Sequence, residues 1–171
     1  QNLWHLPETV HSYLAADPSP VMAGKAKKEI LKSRVLSQDA HLIQASAENI
    51  PLKSRSADTV VSFLVLCSVY DPLAALAEVH RILRPGGVFL FFEHVLAPRA
   101  ATVKWQNRIT PIWKRLAVGC HLNRDTADSI EKSGFRFEQL QQYRSLKMGP
   151  SLTSNVIEGA ARKKNLTTRK I

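Results

Sequence analysis

The stretch EVHRILRPGGVFLFFEHVL, Glu78–Leu96, decides how this chain is read. It opens in a segment where Leu76, Val79 and Leu83 recur at the spacing of one buried helix face. Pro85-Gly86-Gly87 predicts the end of that helix, with glycine supplying the positive φ of a C-cap. A strand over Val88–Phe92 comes at once and carries no polar face. Such a strand is expected to be covered by helices on both sides, as in parallel sheets. It ends in a carboxylate and an imidazole, Glu93 and His94.

Working outward, strands and helices keep alternating. His11–Ala16 predicts a short strand, and Ser19 with Pro20 opens a helix that runs to about Arg34. His41–Ala45 is the next strand; Ala57–Leu66 is another, β-branched and too apolar for a wet face. Asp71-Pro72 starts the helix that leads into the opening stretch. This alternation implies crossovers and a parallel sheet, hence an open, doubly wound α/β fold. Ligands bind such sheets beyond the carboxyl ends of the strands. Asp17, Ser46-Ala47-Glu48, Cys67-Ser68 and Glu93-His94 all fall at predicted strand ends of that kind. After His94 the alternation stops. Thr102–Val118 and Arg124–Ser133 predict helices, and Phe135–Tyr143 with Asn155–Ala161 predicts an antiparallel hairpin at the sheet edge. Residues 99–123 then read as a helical insert over the ligand rim, within a single domain spanning residues 1–171.

Composition narrows the function classes. Apolar residues make up 44% of the 171, enough for one hydrophobic core. Cys67 and Cys120 show no CxxC and no Cys/His cluster at ligand spacing, so free thiols in a reducing, cytoplasmic setting are expected, with no metal. No apolar run reaches the roughly 18 residues of a membrane span. The formal charge of +10 is concentrated in Lys25–Arg34 and Ala161–Lys170, which read as a solvated helix face and a terminus. No aromatic-laced basic element supports base readout, so no specific nucleic-acid partner is expected.

The ordered set DPSP from Asp17, AENIPL from Ala47, ADTVVSFLVLCSV from Ala57, DPLAALAEVHRILRPGG from Asp71 and FEHV from Phe92 resembles the class I S-adenosylmethionine-dependent methyltransferases. GCHLNRDTADSIEKSGF, from Gly119, is similar to the thiol S-methyltransferase-like branch. The resemblance covers nearly the whole chain and implies a Rossmann-like sheet, S-adenosylmethionine as cofactor and a small-molecule acceptor. It also implies a first strand and a GxGxG turn. QNLWHLPETV, residues 1–10, looks like the first helix after that turn and its link to the second strand, and no glycine precedes Gly24. The expectation is therefore a chain without that first strand and loop, with open backbone edges beside apolar strands, impaired cofactor binding, and a membrane anchor only through a missing N-terminal segment. The rival reading is a non-catalytic remnant acting as a basic interaction or nucleic-acid-associated module.

By the resemblance, Asp17 accepts the ribose hydroxyls, a device dinucleotide folds share; an Asx-turn in DPSP is the plainer alternative. Ala47 and Glu48 border the adenine, and Ser46 stands where many members carry Asp. Phe63 and Leu64 lie with their backbone along the methionine portion. Cys67 and His94 face the acceptor, with His94 as a base whose ordinary pKa suits that task. Each also has a plainer reading, Cys67 as a small buried residue and His94 as a histidine bonded to a backbone carbonyl. Glu93 either binds a cation or anchors a loop. Trp105, Ile109 and Trp113 read as an apolar lid or as core, and an apolar lid suits an apolar acceptor such as a thiol.

Overall fold

A computed structural model of the chain describes residues 7, 9–32, 39–149 and 153–164. It forms two compact units, Gln1–Pro51 and Leu52–Ile171.

In the first unit, β1 (Tyr13–Ala16) and β2 (Ala40–Ile43) pair in parallel, with α1 (Pro20–Lys32) between them in sequence. The Ser19 hydroxyl accepts the Met22 amide at 3.4 Å, so the predicted cap forms. The crossover is what a parallel pair requires.

The second unit carries a four-stranded sheet in the order β3-β4-β6-β5, made of β3 (Ala57–Phe63), β4 (Leu83–His94), β5 (Phe135–Arg144) and β6 (Asn155–Lys163). β3 and β4 run parallel through α2 (Pro72–Ile82), while β6 runs antiparallel between β4 and β5. The antiparallel C-terminal pair thus sits at the sheet edge, as its sequence predicts. α3 (Ala100–Leu116) and α4 (Thr126–Lys132) occupy the stretch between β4 and β5. Asp71 caps α2, accepting the amides of Leu73 at 2.9 Å and Ala74 at 3.1 Å. Asp125 caps α4 by accepting the Asp128 amide at 3.0 Å.

The core lies on one face of this sheet. Phe89 and Phe135 are fully buried with ring centroids 5.4 Å apart, and His80 of α2 meets Phe135 edge-on at 5.5 Å. Leu76, Val79 and Ile82 of α2 and Ile130 of α4 complete it. Each large side chain removed from water in this way contributes about 1.5–3 kcal/mol.

Three expectations change. Among the described residues the opening strand is not covered on both faces: Leu90 of β4 is 39% exposed, and Val61 and Phe63 of β3 are 53% and 46% exposed. Period-2 geometry puts all three on the side opposite Phe89, Phe91 and their helices. Second, α2 does not end on glycine. It stops at Ile82 with Leu83 already extended, and Gly86 takes φ +77 inside β4. There the register jumps from Ala57↔Leu83 to Thr59↔Val88. A Cβ on Gly87 would stand 2.9 Å from the Asp58 carbonyl oxygen, so the Pro-Gly-Gly run serves a bulge with close backbone approach. Third, β3 stops at Phe63 rather than Leu66, because Leu64 adopts φ +57 and turns the chain.

Candidate functional site

Within the first unit the parallel register brings the expected residues to one carboxyl edge. The Asp17 amide donates to Ile43 O at 3.3 Å, which sets the end of β1 beside the end of β2. Asp17 Oδ1 accepts the Ser19 amide at 2.8 Å, so the Asx-turn forms, and that oxygen is taken. Among the described residues its second oxygen has no partner and remains available to a ligand. The Ser46 hydroxyl donates to the Glu48 carboxylate and accepts the Glu48 amide at 3.3 Å, closing a compact turn with Ala47 at its tip. A hydroxyl committed in this way fixes the turn, and the Ala47 and Glu48 backbone forms its rim.

In the second unit, the carboxyl edges of β3 and β4 hold a tightly bonded loop. Leu64 N donates to Phe92 O at 2.8 Å, keeping Leu64 beside Phe63 and the end of β4. Phe63 and Phe92 stack with centroids 4.9 Å apart. Beneath the loop lies Glu93, fully buried. Its Oε1 accepts the Ser62 hydroxyl at 2.6 Å and the Val65 amide at 3.0 Å, and its Oε2 accepts the Cys67 amide at 3.3 Å. Burial pushes the Glu93 carboxyl above its usual range, and these donors oppose the shift. Of the two roles expected for Glu93, the loop anchor is the one formed. Arg124 grips the same loop by its carbonyls, donating to Leu66 O and, at 2.6 Å, to Val69 O. Amides held by a carboxylate and carbonyls held by a guanidinium leave the loop little freedom.

That fixed loop presents Cys67, and His94 stands next to it with Cys120. Cys67 Sγ lies 3.6 Å from Cys120 Sγ, which lies 3.5 Å from His94 Nδ1. All three side chains are buried, and His94 Nε2 has no hydrogen-bond partner among the described residues. Leu122 is buried against the two cysteines, with Leu64, Ile109, Trp113 and Ala117 packed around them. The hydrogen bond between the thiols holds Cys120 down, to about 7, helped by the Trp113 indole and the charge of Arg124. The same bond, with burial, pushes Cys67 well up. The pair therefore favours one thiolate, on Cys120.

The predicted lid divides into two faces. Ile109 and Trp113 pack inward on the cysteines, whereas Trp105 is 57% exposed. Gln106, fully buried, accepts the Ala97 amide at 2.8 Å and donates to Val95 O at 3.3 Å, tying α3 to the segment after β4. Beside this tie a hollow of about 560 Å³ is lined by Val95, Ala97, Val103 and Ile157, with Lys104 and Asp125 among its polar groups. Sequence reasoning groups Cys67 with His94 but leaves out Cys120, Arg124 and Gln106. Cys120 lies 53 residues from Cys67, so no local spacing announces the contact.

A family model described as a methyltransferase domain matches residues 1–91. Thiol S-methyltransferase TMT1B of Rattus norvegicus is 35% identical over 147 residues, covering 83% of this chain and 60% of that protein. Thiol S-methyltransferase TMT1A of Homo sapiens is 36% identical over 126 residues, covering 73% of this chain and 52% of that protein. The chain thus spans 52–60% of the length of these curated relatives. Among solved structures, geranyl diphosphate methyltransferase in complex with SAM superposes with a TM-score of 0.69 at 14% identity, covering 89% of this chain and 68% of that one. A putative methyltransferase from Bacillus halodurans gives a TM-score of 0.65 at 15% identity, covering 86% and 79%. These likenesses show a shared α/β methyltransferase fold, with a mixed sheet and antiparallel C-terminal strands.

Proposed function

This chain belongs to the methyltransferase domain family, among the class I S-adenosylmethionine-dependent methyltransferases, and on that premise we propose that its protein methylates the thiol of a small apolar acceptor. The observation that carries the reading is the 35% identity over 147 residues with a protein named for thiol S-methylation. When bound, S-adenosylmethionine supplies a methyl group on a cationic sulfur, which an acceptor thiolate displaces as a neutral thioether. The chain's own residues have to hold, align and exclude water, tasks that supply about 7–11 kcal/mol at best.

Taken unit by unit, the residues that the family resemblance assigns to the cofactor keep groups suited to that task. Asp17 keeps one carboxylate oxygen for ribose hydroxyls while the other holds the Asx-turn. The turn Ser46-Ala47-Glu48 offers a rim for the adenine, closed by the Ser46–Glu48 bond. In the second unit Leu64 N is pinned to Phe92 O, which supports the reading that the Phe63–Leu64 backbone serves the methionine portion. Cys67 and His94 serve the acceptor side, positioning its thiol and promoting loss of its proton.

The test measures thioether formation by mass spectrometry with the protein that carries this chain, S-adenosylmethionine and an alkyl thiol. Asp17→Asn keeps the Asx-turn acceptor but removes the charge. It is expected to weaken cofactor binding by about 10–100-fold, the worth of a hydrogen bond to a charged group. Methylation of an alcohol or amine but of no thiol would refute the acceptor, and cofactor binding indifferent to Asp17 would refute the ribose role.

A further inference from the structure

We propose that Cys67, His94 and Cys120 form a three-ligand site for one thiophilic divalent cation, zinc in the first place. The argument starts from edge lengths. Around a tetrahedral zinc with Zn–S of about 2.3 Å and Zn–N of about 2.0 Å, sulfur–sulfur edges are about 3.8 Å and sulfur–nitrogen edges about 3.5 Å. The two sulfurs here stand 3.6 Å apart, and Cys120 Sγ is 3.5 Å from His94 Nδ1. One ligand atom from each residue lies within 4.8 Å of the other two. The trio is therefore spaced for a cation with little movement.

Its chemistry agrees. Two thiolates and a neutral imidazole match the preference of zinc for sulfur and nitrogen and cancel its double charge, which removes the cost of burying either alone. The imidazole is also poorly provided for without an ion. His94 is 8% exposed, its Nδ1 meets only a thiol, and its Nε2 has no partner among the described residues. A buried histidine is ordinarily held by better acceptors than that. The supports are fixed as a metal site requires: the Cys67 amide is bonded to Glu93 and the Cys67 carbonyl accepts the His121 amide at 2.7 Å. Leu64, Ile109, Trp113 and Leu122 make a dry wall. Three protein ligands leave the fourth corner to water or another small ligand.

The site shares Cys67 and His94 with the acceptor side proposed above, and rests on that reading for its place in the reaction but not for its existence. Its test accordingly uses neither cofactor nor acceptor. The reduced protein is titrated with cobalt(II) under anaerobic conditions and then with zinc(II). One equivalent of cobalt is expected to give a thiolate-to-cobalt charge-transfer band with a tetrahedral ligand-field pattern, abolished by one equivalent of zinc. Cys120→Ser and His94→Gln should each weaken cobalt binding by more than the 10–100-fold that loss of a supporting residue costs. Should a variant fail to fold, the wild type still decides: zinc should raise its melting temperature and shield both cysteines from alkylation. Absence of the band, a band that survives in the Cys67→Ser/Cys120→Ser double variant, or alkylation unaffected by zinc overturns the proposal.

Discussion

Replacing Glu93 tests whether one buried carboxylate holds the loop after β3. In Glu93→Ala the Val65 and Cys67 amides lose their acceptor inside the protein, and the Ser62 hydroxyl must rotate to find another. Each buried donor left unpaired costs about 1–3 kcal/mol, so the two amides alone amount to about 2–6 kcal/mol. Relief from burying a carboxylate offsets part of that, which leaves an expected loss of about 2–4 kcal/mol from a domain stability of about 5–15. Glu93→Gln separates the contributions. It keeps the volume and an acceptor for Ser62 and Val65, which share Oε1, but turns an NH₂ toward the Cys67 amide. About 1–2 kcal/mol is expected, one unpaired donor's worth. Urea unfolding gives both numbers, with the m-value unchanged if only stability moves. Amide hydrogen exchange adds the local readout: Val65 and Cys67 should lose protection in the alanine variant before Phe89 or Ile157 does. A midpoint within about 0.5 kcal/mol of wild type, or unchanged exchange at Val65 and Cys67, refutes the anchor.

The remaining expectations concern the frame around the site. Gly159→Ala would put a Cβ 2.1 Å from the Gln139 carbonyl oxygen and 2.9 Å from Phe91 Cζ. Backbone cannot yield there, so the loss should exceed the roughly 1–3 kcal/mol of ordinary overpacking, and a normal melting temperature would contradict the β5–β6 register. Asp71→Ala removes the cap that serves Leu73 and Ala74 and should cost about 1 kcal/mol in urea, with Asp71→Asn nearly neutral. His80 is held below its ordinary pKa of 6.5, first by burial and then by the charge of Lys163. The unfolded chain therefore takes up this proton more readily, and the contribution of His80, intact above pH 6.5, is lost as pH falls through the depressed value. Melting temperatures scanned across that window should fall less steeply in His80→Gln than in wild type; parallel profiles would count against it.

How much can be read from the sequence depends on how far each feature reaches along the chain. Helix starts at Ser19-Pro20 and Asp71-Pro72 depend on atoms within three residues, and both caps form. Parallel pairing is legible because alternating strands and helices leave few other connections. The glycine pair misleads because a Pro-Gly-Gly after a helix looks the same whether it caps the helix or bulges the next strand. The Asp58 carbonyl decides between them, and it belongs to the neighbouring strand. The exposed Val61, Phe63 and Leu90 mislead for a related reason. An all-apolar strand records what its faces are suited to meet, and whether a helix lies there is a property of other segments.

The acceptor side shows the same limit more sharply. Cys67 and His94 can be paired from sequence because one follows and the other ends a parallel strand, and parallel strands end on one edge. Cys120 comes after a helix and a turn, so no rule of strand order brings it to that edge. It arrives because Ile109 and Trp113 bury one face of α3 against the loop, and because the His121 amide bonds Cys67 O at 2.7 Å. Arg124, a few residues on, fastens the same loop from the other side. The insert therefore does more than cover a rim. It supplies the thiol held near 7, and Arg124, the residue that follows the insert, supplies the guanidinium whose charge helps to keep it there. A substitution on α3 that loosens Trp113 should consequently change Cys120 reactivity without touching either strand. Trp113→Ala is expected to raise the pH at which Cys120 is alkylated, since the indole packed against the cysteines is one of the groups that hold Cys120 down; alkylation with an unchanged pH profile would mean that the strands alone build the cluster.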